Sequence, residues 1–476
     1  MKDIIRNEII ALDIDKINFD DKESLRALIL QMFNTIEQLA QANQDLRAEN
    51  QELKDEINRL KGEKGRPKIL PRVTDYQSNT KIEKPEKWHK SSKKPQIKID
   101  RTEYIRLDKS ILPADAKHCG YRRAIKQNIK FETDNVEYLL ERCYSRSLKK
   151  TYEAELPDSL QNTEFGSDLK AFIAYLYYAG RVTENKIHRI LEESGIIISE
   201  GEISNILTKE KSTVYAIEKQ AIFETGTNQA DYLNIDETGA RHKGNNHYLH
   251  VVCNKLFSAF FIRQAKGSDT IRHFFRLNDE DRFDKPIISD DARQYIGVSA
   301  HHALCWLHEI RHYKKLNPFL NHHKSVLNLF LAELWRFYEL LAQYKENPNK
   351  IMYLRIQERF DSIFSTITGY GTLDERIAKT KKKKDELLLV LDYPNVPLHN
   401  NLAEIAVREG VIKRKISYGT RSELGRIAWE NMLSIMDTCR KLGISFYRYL
   451  QDIYSESHSM PKLSDLIIMA SKPTEH

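Results

Sequence analysis

Long apolar runs are missing from this chain of 476 residues: none approaches the ~20 residues that a membrane-spanning helix needs. The first ten residues, MKDIIRNEII, carry acids and no extended apolar core, which does not fit a secretory signal. Cysteine is scarce as well. The five cysteines (119, 143, 253, 305 and 439) are odd in number, widely spaced and never in a C-x-x-C pair. That excludes a disulfide framework and a local four-cysteine zinc site, and it implies a reducing, cytoplasmic setting. Proline is sparse at 13 residues, yet Pro67, Pro71, Pro85 and Pro95 fall close together. What is present is an ordinary apolar share of 41% with 30% charged residues, enough for two to four domains at about 100–200 residues each.

The net charge of +7 is unevenly spread. Residues 59–98 hold 13 Lys/Arg against 4 Asp/Glu, an excess of 13 − 4 = +9. With the four prolines, residues 62–98 read as an extended basic linker serving either solubility or phosphate contact. Before it, Leu25, Met32, Leu39, Leu46, Leu53 and Leu60 recur every seven residues. Ile29, Ile36, Asn43, Asn50 and Ile57 form a second row. This spacing predicts a parallel coiled coil over 25–61, within an N-terminal helical region 1–61. Its asparagines would fix register, and Glu49–Lys54 and Glu56–Lys61 pairs would form between partners. A homodimer follows; a higher oligomer stays open.

Residues 99–157 read as a small β-rich domain. Residues 158–225 read as helical, with two short helices around Gly195 suggesting a helix-turn-helix, and Ser199 with Glu202 forming a capping box. In that pair Lys186 and Arg189 are candidates for DNA phosphates. From 226 to 454 the pattern is mixed α/β. "YLNIDETG", "HYLHVVCN" and "FSAFFIRQ" are strands at hairpin spacing. Ser268 is a plausible helix cap, "KPIISDD" and "HHALCW" are further strands, and about 313–395 is a helical insertion. The Lys381–Lys384 run reads as a solvated face, and residues 455–476 as a mobile C-terminal tail.

Three carboxylates then stand out. Asp236 and Asp290 end strands, and Glu404 sits on a helix behind an Asn-Asn pair. Acids from separate elements can hold two Mg²⁺ (or Mn²⁺) ions about 3.5–4 Å apart for phosphodiester chemistry. Asp290 competes with Asp291, whose side chain would point to the opposite face. His301, His302, Cys305, His308 and His312 look like a zinc cluster, but zinc is not the expected metal.

Four stretches in order extend this reading: Asp236–Glu237–Thr238–Gly239; Ser289–Asp290 with Tyr295; Cys305–Trp306–His308–Arg311; and Asn400–Asn401–Ala403–Glu404–Arg408. Together they resemble the DDE transposases of the insertion-sequence-66 family over about residues 160–452. The resemblance implies a multidomain α/β protein with a ribonuclease-H-like mixed sheet. It also implies catalytic, metal-holding Asp236, Asp290 and Glu404, and supporting Glu237, His308, Arg311 and Asn401. DNA contacts would come from Arg408, Lys413, Arg414, Lys415 and Arg421. The implied partners are transposon ends and target DNA, with element-encoded accessory proteins left open. Two departures stand beside it. Only Cys119–Gly120 and Cys143 remain where the family commonly carries a zinc ribbon, and His399 replaces the usual Asp before the Asn-Asn pair. A ribonuclease-H-like nuclease without strand transfer, a domesticated DNA-binding dimer and a coiled-coil scaffold are the alternatives.

Overall fold

The computed structural model describes residues 21–60, 99–107, 117, 119–129, 132–156 and 163–472; the basic linker 62–98 lies outside them. The chain forms two compact units, one of residues 1–49 with 135–476, the other of residues 50–134. Among the described residues 99–134 there is no strand; Tyr104 and Tyr121 meet edge-on at 5.1 Å. Among the described residues of 99–157 the strands are one exposed antiparallel hairpin, β1 (Arg142–Ser145) with β2 (Lys150–Glu153).

The heptad segment is a single helix, α1 (Lys22–Leu60). Within the larger unit its apolar stripe, Ile29, Met32, Ile36, Leu39 and Leu46, faces solvent. The opposite face docks through polar groups that the heptad gives no hint of. Glu37, only 4% exposed, accepts hydrogen bonds from the backbone N–H groups of Phe319 (2.7 Å) and Leu320 (3.1 Å) and meets His323 Nδ1 at 2.6 Å. Asn34 donates to the Gly369 carbonyl and accepts from the Gly371 N–H.

Four helices precede the sheet: α2 (Ser167–Tyr178), α3 (Glu184–Glu193), α4 (Glu200–Thr208) and α5 (Ser212–Gln229). Gly195, at φ +81°, makes the turn between α3 and α4, a conformation that disfavours a Cβ. Ser199 Oγ accepts the Glu202 N–H at 3.1 Å, which satisfies one of the orphan donors of α4. The reciprocal half of the expected capping box is replaced, because the Glu202 carboxylate accepts from Asn205.

The sheet has five strands in the order β5-β4-β3-β6-β7. The strands β3 (Leu233–His242), β4 (Asn245–Cys253) and β5 (Ser258–Arg263) form an antiparallel meander. Lys243 and Gly244, both at positive φ, supply the two-residue turn that suits the twist of the β3–β4 hairpin. The strands β6 (Ile287–Ser289) and β7 (His302–Leu304) run parallel to β3. Between β5 and β6 lies α6 (Ser268–Phe274), for which Gly267, not Ser268, is the N-cap. Ser268 is already inside the first turn, with its hydroxyl on Asp269. The result is a mixed α/β protein with a mixed sheet and many helices, consistent with a ribonuclease-H-like transposase.

After β7 come α7 (Trp306–Lys314), α8 (Asn321–Glu346), α9 (Lys350–Ile363), α10 (Gly371–Lys381) and the short α11 (Lys384–Leu387). They bury a second core around Trp306, Phe337, Phe360 and Phe364. The lysine run is not simply solvated: Lys383 pairs with Asp291 and Glu309, and Lys384 with Asp361. Then α12 (Asn401–Ser417) crosses the sheet and α13 (Glu423–Lys441) covers β5. Ser434 and Thr438 on α13 accept the Phe260 and Ser258 N–H groups, so the edge strand does not offer these donors to solvent. α14 (Phe446–Ser455) follows. The expected tail contains a helix instead, α15 (Leu463–Ser471). Leu463 and Ile467 are fully buried, and the Leu463 N–H donates to Glu218 on α5. Four-residue spacing puts both on one face, which pins the segment.

Candidate active site

Sheet register brings the two aspartates together. Leu233 pairs with Ile287 and Asn234 with Ile288, so Asp290 stands level with Asp236 two residues on. Two residues are one full pleat, so both side chains keep the same side. Asp236 Oδ1 accepts the Glu237 N–H at 2.9 Å, and Asp290 Oδ1 accepts the Ala292 N–H at 3.1 Å. Asp291 is exposed and engaged by Lys383.

Glu404 arrives on the first turn of α12, and a buried amide sets that turn. Asn400 is fully buried; its Nδ2 donates to the Ile235 carbonyl and its Oδ1 accepts from Asn234, each at 2.8 Å. Its backbone N–H donates to Cys305 Sγ at 3.3 Å. The first asparagine of the pair thus locks α12 to β3 and to the end of β7. The expected supporting residue, Asn401, is only half-buried. Further along α12, Gly410 lets the helix lie close on the sheet. A Cβ there would meet Leu249 Cδ2 at 2.7 Å and Thr238 Cγ2 at 3.0 Å.

Burial pushes the Asp236 carboxyl up to about 7, and repulsion from Glu237, Asp290 and Glu404 adds to it. Burial also raises Glu237, opposed by hydrogen bonds from the Tyr295 hydroxyl and from Gln294 Nε2 (2.6 Å). This gives Tyr295, fully buried, its place in the motif: it holds Glu237, and the 3-10 turn Arg293–Tyr295 delivers it. Glu404 accepts from Arg311 at 3.2 and 3.4 Å, and His308 Nδ1 lies 3.5 Å away. The cation on Glu404 is therefore Arg311, 93 residues earlier, whereas the i+4 neighbour Arg408 is exposed.

The hard oxygen donors of Asp236, Asp290 and Glu404 suit a divalent ion such as Mg²⁺ or Mn²⁺, and a cation would relieve the repulsion that lifts Asp236. The zinc-like histidines are dispersed. His301 bonds the Tyr393 hydroxyl at 2.9 Å and His302 bonds Ser289 Oγ at 2.7 Å. Cys305, His308 and Glu404 do present donor atoms within 4.8 Å of one another. There the Cys305 sulfur already accepts the Asn400 N–H that starts α12.

Of the expected DNA contacts, Lys186, Arg189, Arg408, Lys415 and Arg421 are exposed. Lys413 differs. Its ammonium donates to the Tyr177 hydroxyl at 2.7 Å and lies 4.3 Å from that ring, and burial pulls its pKa down to about 8. It ties α12 to α2. Arg414 is half-buried beside Gly239.

The sequence profile of the transposase IS66 family matches residues 162–427, more than half of the chain and a span that includes all three acids. An uncharacterized protein, y4jO, of Sinorhizobium fredii is 42% identical over 184 residues, covering 38% of this chain. The match spans about half (55%) of that protein's own length. With the motifs in order, the mixed sheet beneath them and the profile extending across both, the chain belongs to the transposase IS66 family.

Proposed function

We propose that this chain is a DDE transposase that binds the terminal inverted repeats of a mobile element, cleaves there and joins the freed 3′ end to target DNA. The observation that carries the reading is the convergence of Asp236, Asp290 and Glu404 from β3, β6 and α12. They approach one another at a half-buried site where Asp236 is pushed up to about 7. These three would hold divalent cations, which when bound polarise the phosphoryl oxygen and activate the attacking hydroxyl at neutral pH. Arg311 holds Glu404 in place, with His308 Nε2 against Arg311 at 3.1 Å, and Tyr295 with Gln294 orients Glu237 behind the site. The sheet with α12 is the ribonuclease-H-like catalytic domain, and α8–α10 are its helical insertion.

The exposed cations of α12 and the loop after it (Arg408, Lys415 and Arg421) face backbone phosphates, with Lys186 and Arg189 on α3. In the α3–α4 pair the first turn of α4 carries Glu200 and Glu202, so phosphate contact falls to α3. Two copies pair through the apolar stripe of α1, whose opposite face is already occupied by Glu37 and Asn34. The test is incubation of element-end duplexes with target plasmid and Mn²⁺. Joined products are expected; nicked ends that never join would make the chain a nuclease and refute the transposase reading.

A further inference from the structure

Two guanidinium groups sit together without a carboxylate. Arg241 lies near the end of β3 and Arg414 on the last turns of α12, and both are half-buried. They are close enough that Arg241 disfavours the charge on Arg414, adding to the effect of burial. Among the described residues neither side chain has an ion pair or hydrogen bond, although Arg181, Arg263, Arg276, Arg311 and Arg376 each hold a carboxylate.

The backbone is shaped around them. A Cβ on Gly239 would stand 2.8 Å from Arg414 Nη1, so the glycine of Asp236–Glu237–Thr238–Gly239 leaves the space that guanidinium fills. Gly419, at φ +121°, lets the loop after α12 close on β3. There the Thr420 N–H donates to the Arg241 carbonyl, and the Lys243 N–H to the Thr420 carbonyl, both at 2.9 Å. The edge of β3 that β6 leaves unpaired beyond Asn234 is closed at its far end by this contact, with Arg241 fixed in it. Like charges held together on rigid backbone, with burial against them, are costly unless an anion sits between them. A phosphodiester matches the planar, forked donors of two guanidiniums.

We infer that Arg241 and Arg414 form a seat for one backbone phosphate of the DNA, set back from the three acids along β3 and α12. The inference rests on the DNA-binding reading proposed above. Five residues of strand separate Arg241 from Asp236, about 17 Å at roughly 3.3 Å per residue. Ten residues of helix separate Arg414 from Glu404, about 15 Å at 1.5 Å per residue. The two estimates agree on the separation along β3, and because five is odd the Arg241 side chain leaves the strand on the face opposite Asp236.

The experiment is a salt titration of duplex binding by the full chain, using a fluorescein-labelled B-form duplex. The proteins are wild type, Arg241→Gln, Arg414→Gln and the double variant, with Arg241→Lys as the charge-preserving control. One neutralised phosphate contributes about 0.9 to the slope of log K against log[salt]. A shared seat predicts that one remaining guanidinium still neutralises the phosphate, so each single variant weakens binding with the slope largely kept, that the double variant lowers the slope by about 0.9, and that Arg241→Lys keeps the wild-type slope. A double variant with the wild-type slope and affinity, or one whose slope falls by about 1.8 as the sum of two single losses of about 0.9, would overturn the shared seat while leaving DNA binding intact. A wild-type protein with no salt-dependent binding would instead remove the DNA reading and the seat with it.

Discussion

Replacing Asp236 with asparagine should make the metal-free protein more stable at pH 8, at the position where activity should be lost. The Asp236 carboxyl is raised from 3.8 to about 7 by burial first and then by Glu237, Asp290 and Glu404. Below pH 3.8 the group is protonated in both folded and unfolded chains and contributes nothing. Between 3.8 and 7 the folded chain keeps a proton that the unfolded chain has released, so stability falls as pH rises. Above 7 both forms are ionised and the full penalty stays. At about 1.36 kcal/mol per pKa unit the ceiling is about 4 kcal/mol, on the order of 10 °C in melting temperature for a domain of this size. Asparagine carries no such penalty. Thermal melts of wild type and Asp236→Asn in EDTA at pH 8 and pH 4 check this: the variant should melt higher at pH 8, and the gap should close at pH 4. Mg²⁺ or Mn²⁺ should stabilise wild type and not the variant. A variant no more stable than wild type at pH 8 without metal, or one stabilised equally by the metal, would refute the argument.

Other sites give sharper losses. Asn400→Ala strips partners from Asn234 and the Ile235 carbonyl, both buried, and should cost about 2–6 kcal/mol in denaturant melts at roughly 1–3 kcal/mol per unsatisfied group; Asn401→Ala should stay within about 1 kcal/mol. Leu463→Ala should cost about 2–5 kcal/mol, the range for a buried leucine, whereas a loose tail would show no change. Ile36→Asp should convert a dimer to a monomer in analytical ultracentrifugation, because Ile36 lies on the exposed stripe of α1 and away from Glu37; a dimer of unchanged affinity would remove the coiled-coil pairing.

What the sequence made legible was periodic or local. The heptad of α1, the strands around Asp236 and the apolar strand before Asp290 announced themselves by spacing. So did Ser199 as a cap. Pairings across long separations did not. Arg311 and Glu404 are 93 residues apart, and nothing local to either residue marks the pair. Adjacent amides are indistinguishable without the start of the helix, so Asn401 seemed the supporting residue. The helix begins one residue after Asn400, which turns Asn400 into the sheet. Glu37 sits on the outer face of a heptad helix, where a carboxylate normally meets water; nothing local marks its place against α8. The nine residues of α15 are too few for periodicity to separate from a tail. Lys383 lay hidden in a charge run because its partners, Asp291 and Glu309, come from other elements.

The measurement that reaches the central claim most directly is Mn²⁺-dependent cleavage of element-end DNA by wild type beside Asp236→Asn, Asp290→Asn, Glu404→Gln and Asp291→Asn. The account predicts that the first three variants lose cleavage while still binding DNA, and that Asp291→Asn, which removes only the pair with Lys383, keeps it. Cleavage that survives in any of the first three, or that vanishes in Asp291→Asn while Asp290→Asn stays active, would contradict it.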